Sequence, residues 1–186
     1  SFQIQTADLR KHIIASKYPN LSVISASESL ELLQPKLEAK HKIYKLKQSL
    51  DKLTGFDAVY FDTPPALNFY SRSALIAAEK CLIPFDCDEF ARQALYTLMQ
   101  NLIELRADHN EDLCIEGIIV NQFQSQAKLP KKLMEDLKKE GHPIFTQTLS
   151  SSMKMRESHQ CGIPLIHLDS KHKLTQEYLK LFDLLS

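Results

Sequence analysis

The sequence predicts an α/β fold, built on a doubly wound, mostly parallel sheet with helices on both of its faces. Short apolar runs typical of strands alternate with longer stretches of helical period, which is the pattern of repeated βαβ units. Residues 117–120 are apolar throughout, as expected of a strand that is covered on both faces. The 186 residues are enough for one core, and neither a repeat nor a linker interrupts them, so we expect a single domain over residues 1–186.

The first third of the chain reads as a helix, a strand, two helices and a second strand. These elements are expected over residues 7–17, 21–24, 25–34, 36–53 and 56–61. Ser25 and Glu28 have the spacing of a capping box, which predicts the start of the second helix. Pro35 is expected to separate that helix from the lysine-rich helix that follows. Pro64 and Pro65 cannot donate to a strand ladder, so the second strand ends before them.

The rest of the chain continues the same alternation. The expected elements are a helix, a strand, a long amphipathic helix, a strand, a helix, a strand and a final helix, over residues 70–78, 81–84, 91–105, 114–120, 130–137, 144–149 and 174–185. In doubly wound sheets, ligands bind beyond the carboxyl ends of the strands. The segments to consider for function are therefore residues 62–68, 84–88, 121–124 and 150–156.

Composition excludes several classes of protein. Lys and Arg together number 23, as do Asp and Glu, and this balance argues against a dedicated nucleic-acid protein while a local basic face stays possible. The four cysteines lack the spacing of a zinc or redox pair, which is typical of reduced thiols in a cytoplasmic protein. No apolar run is long enough to span a bilayer, so we expect no membrane partner.

Asp62 comes directly after a predicted buried strand. A carboxylate in that position can hold Mg²⁺, usually through water, opposite the phosphates of a nucleotide. The structural alternative is an aspartate that caps the turn after a strand, and the residues alone leave both open. Pro64 and Pro65 add weight to the metal role, because a rigid turn can couple a γ-phosphate to a partner surface.

Residues 56–67 read F-D-A-V-Y-F-D-T-P-P-A-L, and this run resembles the Walker B and switch segment of ParA/MinD-type ATPases, which partition plasmids and chromosomes. Later segments are similar, in order, to the family's following helix, strand and helix, its next strand and its C-terminal end, at residues 73–78, 81–84, 90–95, 117–121, 153–158 and 162–164. Order and spacing together extend the resemblance over nearly the whole chain.

The sequence also departs from the family pattern. The family's defining element is a glycine-rich phosphate loop of the form K-G-G-x-G-K-[ST], and neither it nor the acidic second-strand motif occurs in these residues. The resemblance thus implies a P-loop NTPase-like fold that is incomplete at its N-terminus. We expect an N-terminally truncated fragment, with which Ser1 in place of Met agrees, or a diverged protein that never had the loop. Residues 149–150 are Leu-Ser where many relatives carry Ile-Pro beside the nucleotide base.

The resemblance implies a role for ten residues, with ATP and Mg²⁺ as cofactors of the intact protein. Asp62 would help to hold Mg²⁺, and the switch would consist of Thr63, Pro64 and Pro65. Asn121 and Ser150 would contact the nucleotide base. Nonspecific DNA would bind to one basic surface made by Lys138, Lys139, Lys154 and Arg156. The structural alternatives are a strand-end turn residue for Asn121 and a solvated face for the lysines.

Three functions follow, in order of preference. The first is a ParA-like partition ATPase of the cytoplasm or nucleoid, a homodimer in its ATP state that binds DNA and is stimulated by a ParB-like protein. The second is a non-catalytic interaction module that has lost its ATP site. The third is a metabolic enzyme on the same scaffold, such as a CobQ-like amidotransferase or a dethiobiotin synthetase, for which no substrate motif is visible. Without a phosphate loop, the 186 residues alone are expected not to hydrolyse ATP.

Overall fold

The computed structural model describes residues 8–27 and 29–185, and these form two compact units. The first unit contains the described residues up to Glu79 together with Leu102–Leu113. The second contains Lys80–Asn101 and the described residues from Cys114 onward. The first unit therefore draws on two separate stretches of chain, because one long helix, Glu89–His109, contributes residues to both units.

The first unit consists of a small hairpin and several helices. Its elements in chain order are strands β1 and β2 and helices α1, α2 and α3, over Ile14–Ala15, Ser22–Val23, Ser29–Ala39, Lys45–Leu50 and Phe69–Ala77. β1 and β2 pair antiparallel, with Ile14 opposite Val23. β2 confirms the strand expected over residues 21–24 in a shorter form, and α3 confirms the helix expected after the two prolines.

The end of α3 is held by the second stretch of this unit. Nδ2 of Asn110 donates to the carbonyl oxygens of Leu75 and Ala78 at 2.9 and 2.8 Å. These are among the last carbonyls of a helix, which have no partner inside it. Ile76 of α3 and Leu102 of the second stretch are both fully buried. The first unit therefore depends on residues that follow it at some distance in the sequence.

The helix predicted over residues 7–17, whose first residue lies outside the described part, is wrong. Leu9–His12 form a short 3-10 helix, which begins where the carboxylate of Asp8 caps it. Ile13 and Ile14 come next, and β-branched residues favour extended backbone over helix. Ile14 then lies in a strand, because it pairs with Val23 of β2.

The break predicted at Pro35 falls elsewhere. The helix begins at Ser29, and Glu28 of the predicted capping box lies outside the described residues. α1 continues through Pro35 to its end, because the fixed φ of proline suits a helix even though one hydrogen bond is lost. The chain turns instead at His41, whose φ of 51° is left-handed. The helix expected over residues 36–53 is therefore divided, with residues 36–39 in α1 and residues 45–50 in α2.

Residues 56–61, predicted as a buried strand, form no strand in the part of the chain that the structure describes. Tyr60 is 77% exposed, and Phe56 and Val59 are exposed as well. A strand needs a neighbour that satisfies its backbone N–H and C=O groups, and none of the described strands pairs with this segment. The prediction is therefore wrong for the described residues.

The second unit contains a parallel strand pair and helices. Its elements are, in chain order, β3, α4, β4, α5, α6, α7 and α8, over Lys80–Asp86, Glu89–His109, Cys114–Asn121, Lys128–Lys139, Met153–Cys161, Leu165–Leu168 and Lys173–Leu185. β3 and β4 pair in parallel from end to end, and α4 connects them. This confirms a βαβ unit. None of the described helices is both long and apolar enough to cross a membrane.

The strand predicted over residues 144–149 runs beside β4 with interruptions. Parallel bridges join Ile118 to Ile144 and Phe123 to Ser150, and the N–H of Leu149 donates to the carbonyl of Val120 at 2.8 Å. The position and direction are as predicted, whereas the ladder is not continuous. This third segment places Ser150 beyond the carboxyl end of β4.

One glycine of β4 permits a close approach. A Cβ atom on Gly117 would lie only 2.5 Å from Cε2 of Phe145, so no larger residue fits without displacement of the ring. Phe145 packs against a buried leucine cluster made by Leu149, Leu165, Leu174 and Leu181. The glycine is thus required because β4 and the following segment lie side by side.

Candidate functional site

Asp62 lies in an exposed turn of the first unit. It and the three residues after it are all exposed, between residues 56–61 and α3. Because residues 56–61 are not a strand, Asp62 does not stand at a strand end as predicted. Its carboxylate forms no salt bridge within the described ranges. An exposed carboxylate with free oxygens suits a metal ion held through water.

The turn that contains the predicted switch is held by the start of α3. Asn68 caps this helix, since its Oδ1 accepts from the N–H groups of Tyr70 and Ser71 at 3.0 and 3.1 Å. The Ser71 hydroxyl donates to the carbonyl of Ala66 at 2.8 Å. An asparagine ahead of a helical pattern is a recognisable capping signal. The contact of Ser71 has no signal in the sequence, because serine in a helix is more often solvated.

Asn121, the predicted base contact, is the half-buried last residue of β4. It stands opposite Asp86, the last residue of β3. The next residue, Gln122, has a left-handed φ of 49°, and its Nε2 donates to Oδ2 of Asp86 at 3.2 Å. At the carboxyl edge of β3 and β4, Asn121 therefore stands opposite Asp86, and the carboxylate of Asp86 accepts a hydrogen bond from the side-chain amide of Gln122.

Ser150, the other predicted base contact, lies at the same edge but already has a partner. Its backbone N–H and its hydroxyl both donate to Oε2 of Glu177 in α8, each at 2.7 Å. The side chain of Glu177 is only 14% exposed, and Lys173 approaches its other oxygen at 3.6 Å. Sequence reasoning missed Glu177, because a contact between residues so far apart leaves no local pattern.

Lys154 and Arg156 lie in the first turns of α6, a helix whose start is capped by Ser152. Nζ of Lys154 lies 3.0 and 2.9 Å from the two carboxylate oxygens of Glu157. The hydrogen bond with Glu157 raises the pKa of Lys154. Arg156 is exposed and has no salt bridge in the described part of the chain. The two predicted DNA contacts thus differ, since only Arg156 has an uncompensated charge.

Lys138 and Lys139 lie in the last turn of α5, whereas Lys154 and Arg156 lie in the first turn of α6. After α5 the chain returns beside the middle of β4, where Ile144 bridges Ile118, and α6 follows Ser150, which bridges Phe123 beyond the end of β4. One basic surface made by all four residues stays a prediction.

A second cluster of charged groups joins α4 to the end of α5. Nη2 of Arg92 lies 2.8 Å from one oxygen of Glu140, and the hydroxyl of Tyr96 donates to the other at 2.7 Å. These hydrogen bonds, that from Tyr96 first, lower the pKa of Glu140. His142 lies 3.5 Å from the same carboxylate. The positive charge of Arg92 is compensated within the cluster, so this group ties two helices together.

The residues of the chain suit the base of a nucleotide and its magnesium ion, but not the phosphates. No group of three His, Cys, Asp or Glu side chains among residues 8–27 and 29–185 could hold a metal ion alone. Magnesium bound to phosphates needs only one or two carboxylates, so Asp62 suffices for that role. The phosphates need a cradle of backbone N–H groups and a lysine, and the 186 residues contain no glycine-rich loop. No hydrolytic step can therefore be derived from these residues.

The fold and the order of these segments define a P-loop-type α/β protein. The family model described as "AAA domain" matches residues 1–115, more than half of the chain, and the chain therefore belongs to that family. Within it the chain is ParA-like. It is 25% identical to the chromosome partitioning protein ParA of Caulobacter vibrioides over 173 residues, which are 90% of this chain and 65% of the relative. The chain thus spans about two thirds of that protein.

Two solved structures confirm the predicted fold class. McdA of Cyanothece in complex with ATP has a TM-score of 0.84 at 21% identity, over 96% of this chain and 71% of that one. Cobyrinic acid a,c-diamide synthase of Mycobacterium smegmatis, with a bound ATP analogue and magnesium, has a TM-score of 0.72 at 20% identity over 90% and 71%. At these identities the likeness establishes the fold, and nucleotide and magnesium are ligands of proteins with this fold.

Proposed function

We propose that this chain is the part of a ParA-like partition ATPase that contains the magnesium-holding aspartate, the switch turn and the contacts to the nucleotide base. The observation that carries the proposal is Asp62, an exposed carboxylate directly ahead of Pro64 and Pro65 in a turn bound to α3. The relative named for chromosome partitioning is similar over 90% of the chain, which supports the same assignment.

In this proposal the magnesium ion, the switch and the nucleotide base each have named residues. Asp62 holds Mg²⁺ through water, and Thr63 with the two prolines forms the switch. The side-chain amide of Asn121 offers a donor and an acceptor to the adenine edge. Ser150, which bridges Phe123 two residues beyond Asn121, has a hydroxyl oxygen that can still accept a hydrogen bond. The bound magnesium would neutralise phosphate charge.

The whole protein would work as a dimer on DNA. We propose that it forms a homodimer in its ATP state, binds duplex DNA without sequence preference in the cytoplasm, and releases DNA when a ParB-like protein stimulates hydrolysis. Arg156 is the strongest candidate for a phosphate contact, because its charge has no carboxylate partner in the described residues. Lys154 would contact a DNA phosphate only after its salt bridge to Glu157 is broken.

A non-catalytic interaction module is the second candidate. One observation favours it, namely the use of both Ser150 donors by Glu177. A protein that no longer binds a nucleotide base would tolerate such a contact.

The test is ATP hydrolysis by this chain joined to the phosphate-loop segment of the Caulobacter relative. We expect magnesium-dependent turnover in the joined protein and none in the 186-residue chain. Asp62→Ala should abolish turnover and leave the melting temperature unchanged, because the side chain is exposed. Asp57→Ala, an equally exposed aspartate of the same segment, is the matched control and should retain turnover.

Each outcome separates the candidates. Unchanged turnover in Asp62→Ala would remove Asp62 from the metal site. A joined protein that folds but does not bind ATP would favour the interaction module.

A further inference from the structure

α3 contains two buried serines that differ in one respect. Ser71 is 4% exposed and Ser73 is 6% exposed. The Ser71 hydroxyl donates to the carbonyl of Ala66 at 2.8 Å and lies 3.4 Å from that of Pro64. The Ser73 hydroxyl has no hydrogen-bond partner in the described part of the chain. Burial of a hydroxyl is unfavourable unless the hydroxyl forms a hydrogen bond, so the hydrogen bond from Ser71 to Ala66 offsets the cost of burying the Ser71 side chain.

The carbonyl of Ala66 receives two donors from the start of α3. Besides the Ser71 hydroxyl, the backbone N–H of Asn68 donates to it at 2.9 Å. Asn68 is itself fixed, because its side chain caps the helix. The turn formed by Pro64, Pro65 and Ala66 is therefore bound to the start of α3 through carbonyl oxygens, chiefly that of Ala66.

The helix turn that holds this oxygen is anchored on its other side as well. The hydroxyl of Tyr70, the residue before Ser71, donates to the carbonyl of Leu30 in α1. At its far end α3 is held by Asn110. A hydrogen bond positions a loop only as well as its donor is itself positioned. Ser71 meets this condition because both ends of α3 are attached to other parts of the first unit.

We propose that Ser71 is a positioning residue for the switch turn. Its hydroxyl holds the turn of the two prolines against α3, and this sets the direction in which the Asp62 carboxylate points. The position of the turn follows from the hydrogen bonds alone, whereas the consequence for Mg²⁺ rests on the function proposed above for Asp62. A carboxylate held in place binds a metal with less loss of conformational freedom than one on a mobile turn.

The first experiment measures exchange of the backbone N–H of Asn68, which donates to the carbonyl of Ala66 at 2.9 Å, in the 186-residue chain without nucleotide. Ser71→Ala should accelerate exchange about tenfold, the factor that corresponds to the loss of one hydrogen bond. Ser73→Ala is the matched control, because it removes an equally buried hydroxyl that has no partner. Ser71→Thr, which restores a hydroxyl, should return exchange toward that of the parent. Equal exchange in Ser71→Ala and Ser73→Ala would overturn the proposal.

The second experiment measures the magnesium dependence of ATP turnover in the joined protein. Ser71→Ala should raise the Mg²⁺ concentration for half-maximal turnover about tenfold while ATP saturation stays the same, and Ser71→Thr should reverse the change. A purely structural role of Ser71 would lower stability without shifting the magnesium dependence, and that outcome would overturn the positioning of Asp62. If no variant, including the parent, hydrolyses ATP, the proposed function fails, while amide exchange still decides whether Ser71 holds the turn.

Discussion

Ser150 and Glu177 are joined by two hydrogen bonds at a single carboxylate oxygen, each 2.7 Å long. One comes from the backbone N–H of Ser150 and the other from its hydroxyl. The carboxylate belongs to α8 and is largely buried, so this contact fastens the last helix to the carboxyl edge of the sheet. Glu177 thus satisfies the backbone N–H of Ser150 beyond the end of β4.

We expect Glu177→Ala to lower the free energy of unfolding by about 2 kcal/mol, because hydrogen bonds to a charged group contribute roughly 1.5–3 kcal/mol. Lys173→Ala is the control. Lys173 is 73% exposed and touches the same carboxylate at 3.6 Å, so its loss should cost less than about 0.5 kcal/mol. Urea unfolding of the variants is the measurement. Equal midpoints for the two variants would contradict the assignment.

Gly117→Ala should destabilise the second unit by about 1–3 kcal/mol, because the added Cβ would overlap the ring of Phe145. The partner variant Phe145→Leu relieves the overlap, so the double variant should lose less than the sum of the two single losses. Thermal unfolding of all four proteins gives the coupling. Additive losses would mean that the two residues do not meet.

Cys87 should alkylate more slowly than exposed Cys161 at pH 8. Burial, and then the neighbouring Asp86 and Asp88, raise its pKa to about 11. The thiolate is the reactive form, so labelling of Cys87 should rise with pH until about pH 11. At pH 8 its thiolate fraction is roughly a hundredfold below that of a thiol with a pKa near 9. Mass spectrometry of iodoacetamide labelling, with exposed Cys161 as internal reference, measures this.

The matched variant for this prediction is Asp88→Asn. It removes one negative charge near the thiol and keeps an oxygen that can cap α4 as Asp88 does now, at 2.7 Å from the N–H of Ala91. Labelling of Cys87 should accelerate modestly, because burial remains the larger cause of the raised pKa. A rate equal to that of Cys161 in the parent would disprove the shift.

DNA binding by the joined, ATP-bound protein should depend on the start of α6 and not on the end of α5. Replacing Lys154 and Arg156 with Glu should weaken binding to a duplex of arbitrary sequence and reduce its salt dependence. Replacing Lys138 and Lys139 with Glu makes the same change in net charge at the end of α5, so it controls for net charge. ATP binding should be unchanged in both. Equal weakening of DNA binding by both double replacements would support a single basic surface made by all four residues. Unchanged DNA binding after replacement of Lys154 and Arg156 would favour the interaction module.

The sequence predicts the order of the second unit well, because its elements depend on local patterns. β3, α4, β4 and α5 all occur where apolar period and strand-to-helix alternation place them. Residues 56–61 have an equally good strand pattern, but a strand also needs a neighbour, and pattern alone does not supply one. Pro35 shows the converse, since a residue that disfavours helices on average is accommodated in α1.

The sequence allows single candidate residues of the site to be predicted, but not the contacts between residues that are distant in the chain. Asp62 and Asn121 are recognised from their place after apolar runs, and Asn68 could be recognised as a helix cap. Ser71 and Glu177 act through hydrogen bonds to atoms that the chain brings near only by folding. The placement of the predicted basic residues at the end of α5 and at the start of α6 likewise depends on where these helices begin and end, which charge counting ignores.

A ribosome that makes this chain cannot complete the first unit when residue 79 emerges. Leu102, Leu105 and Asn110 have not yet emerged, and β3 with most of α4 emerges before them. Until then α3 lacks the amide that caps its last carbonyls, and its apolar face lacks the leucines that belong to the same unit. Synthesis of the two units is therefore interleaved in time, and no product that stops short of Leu113 contains a finished first unit.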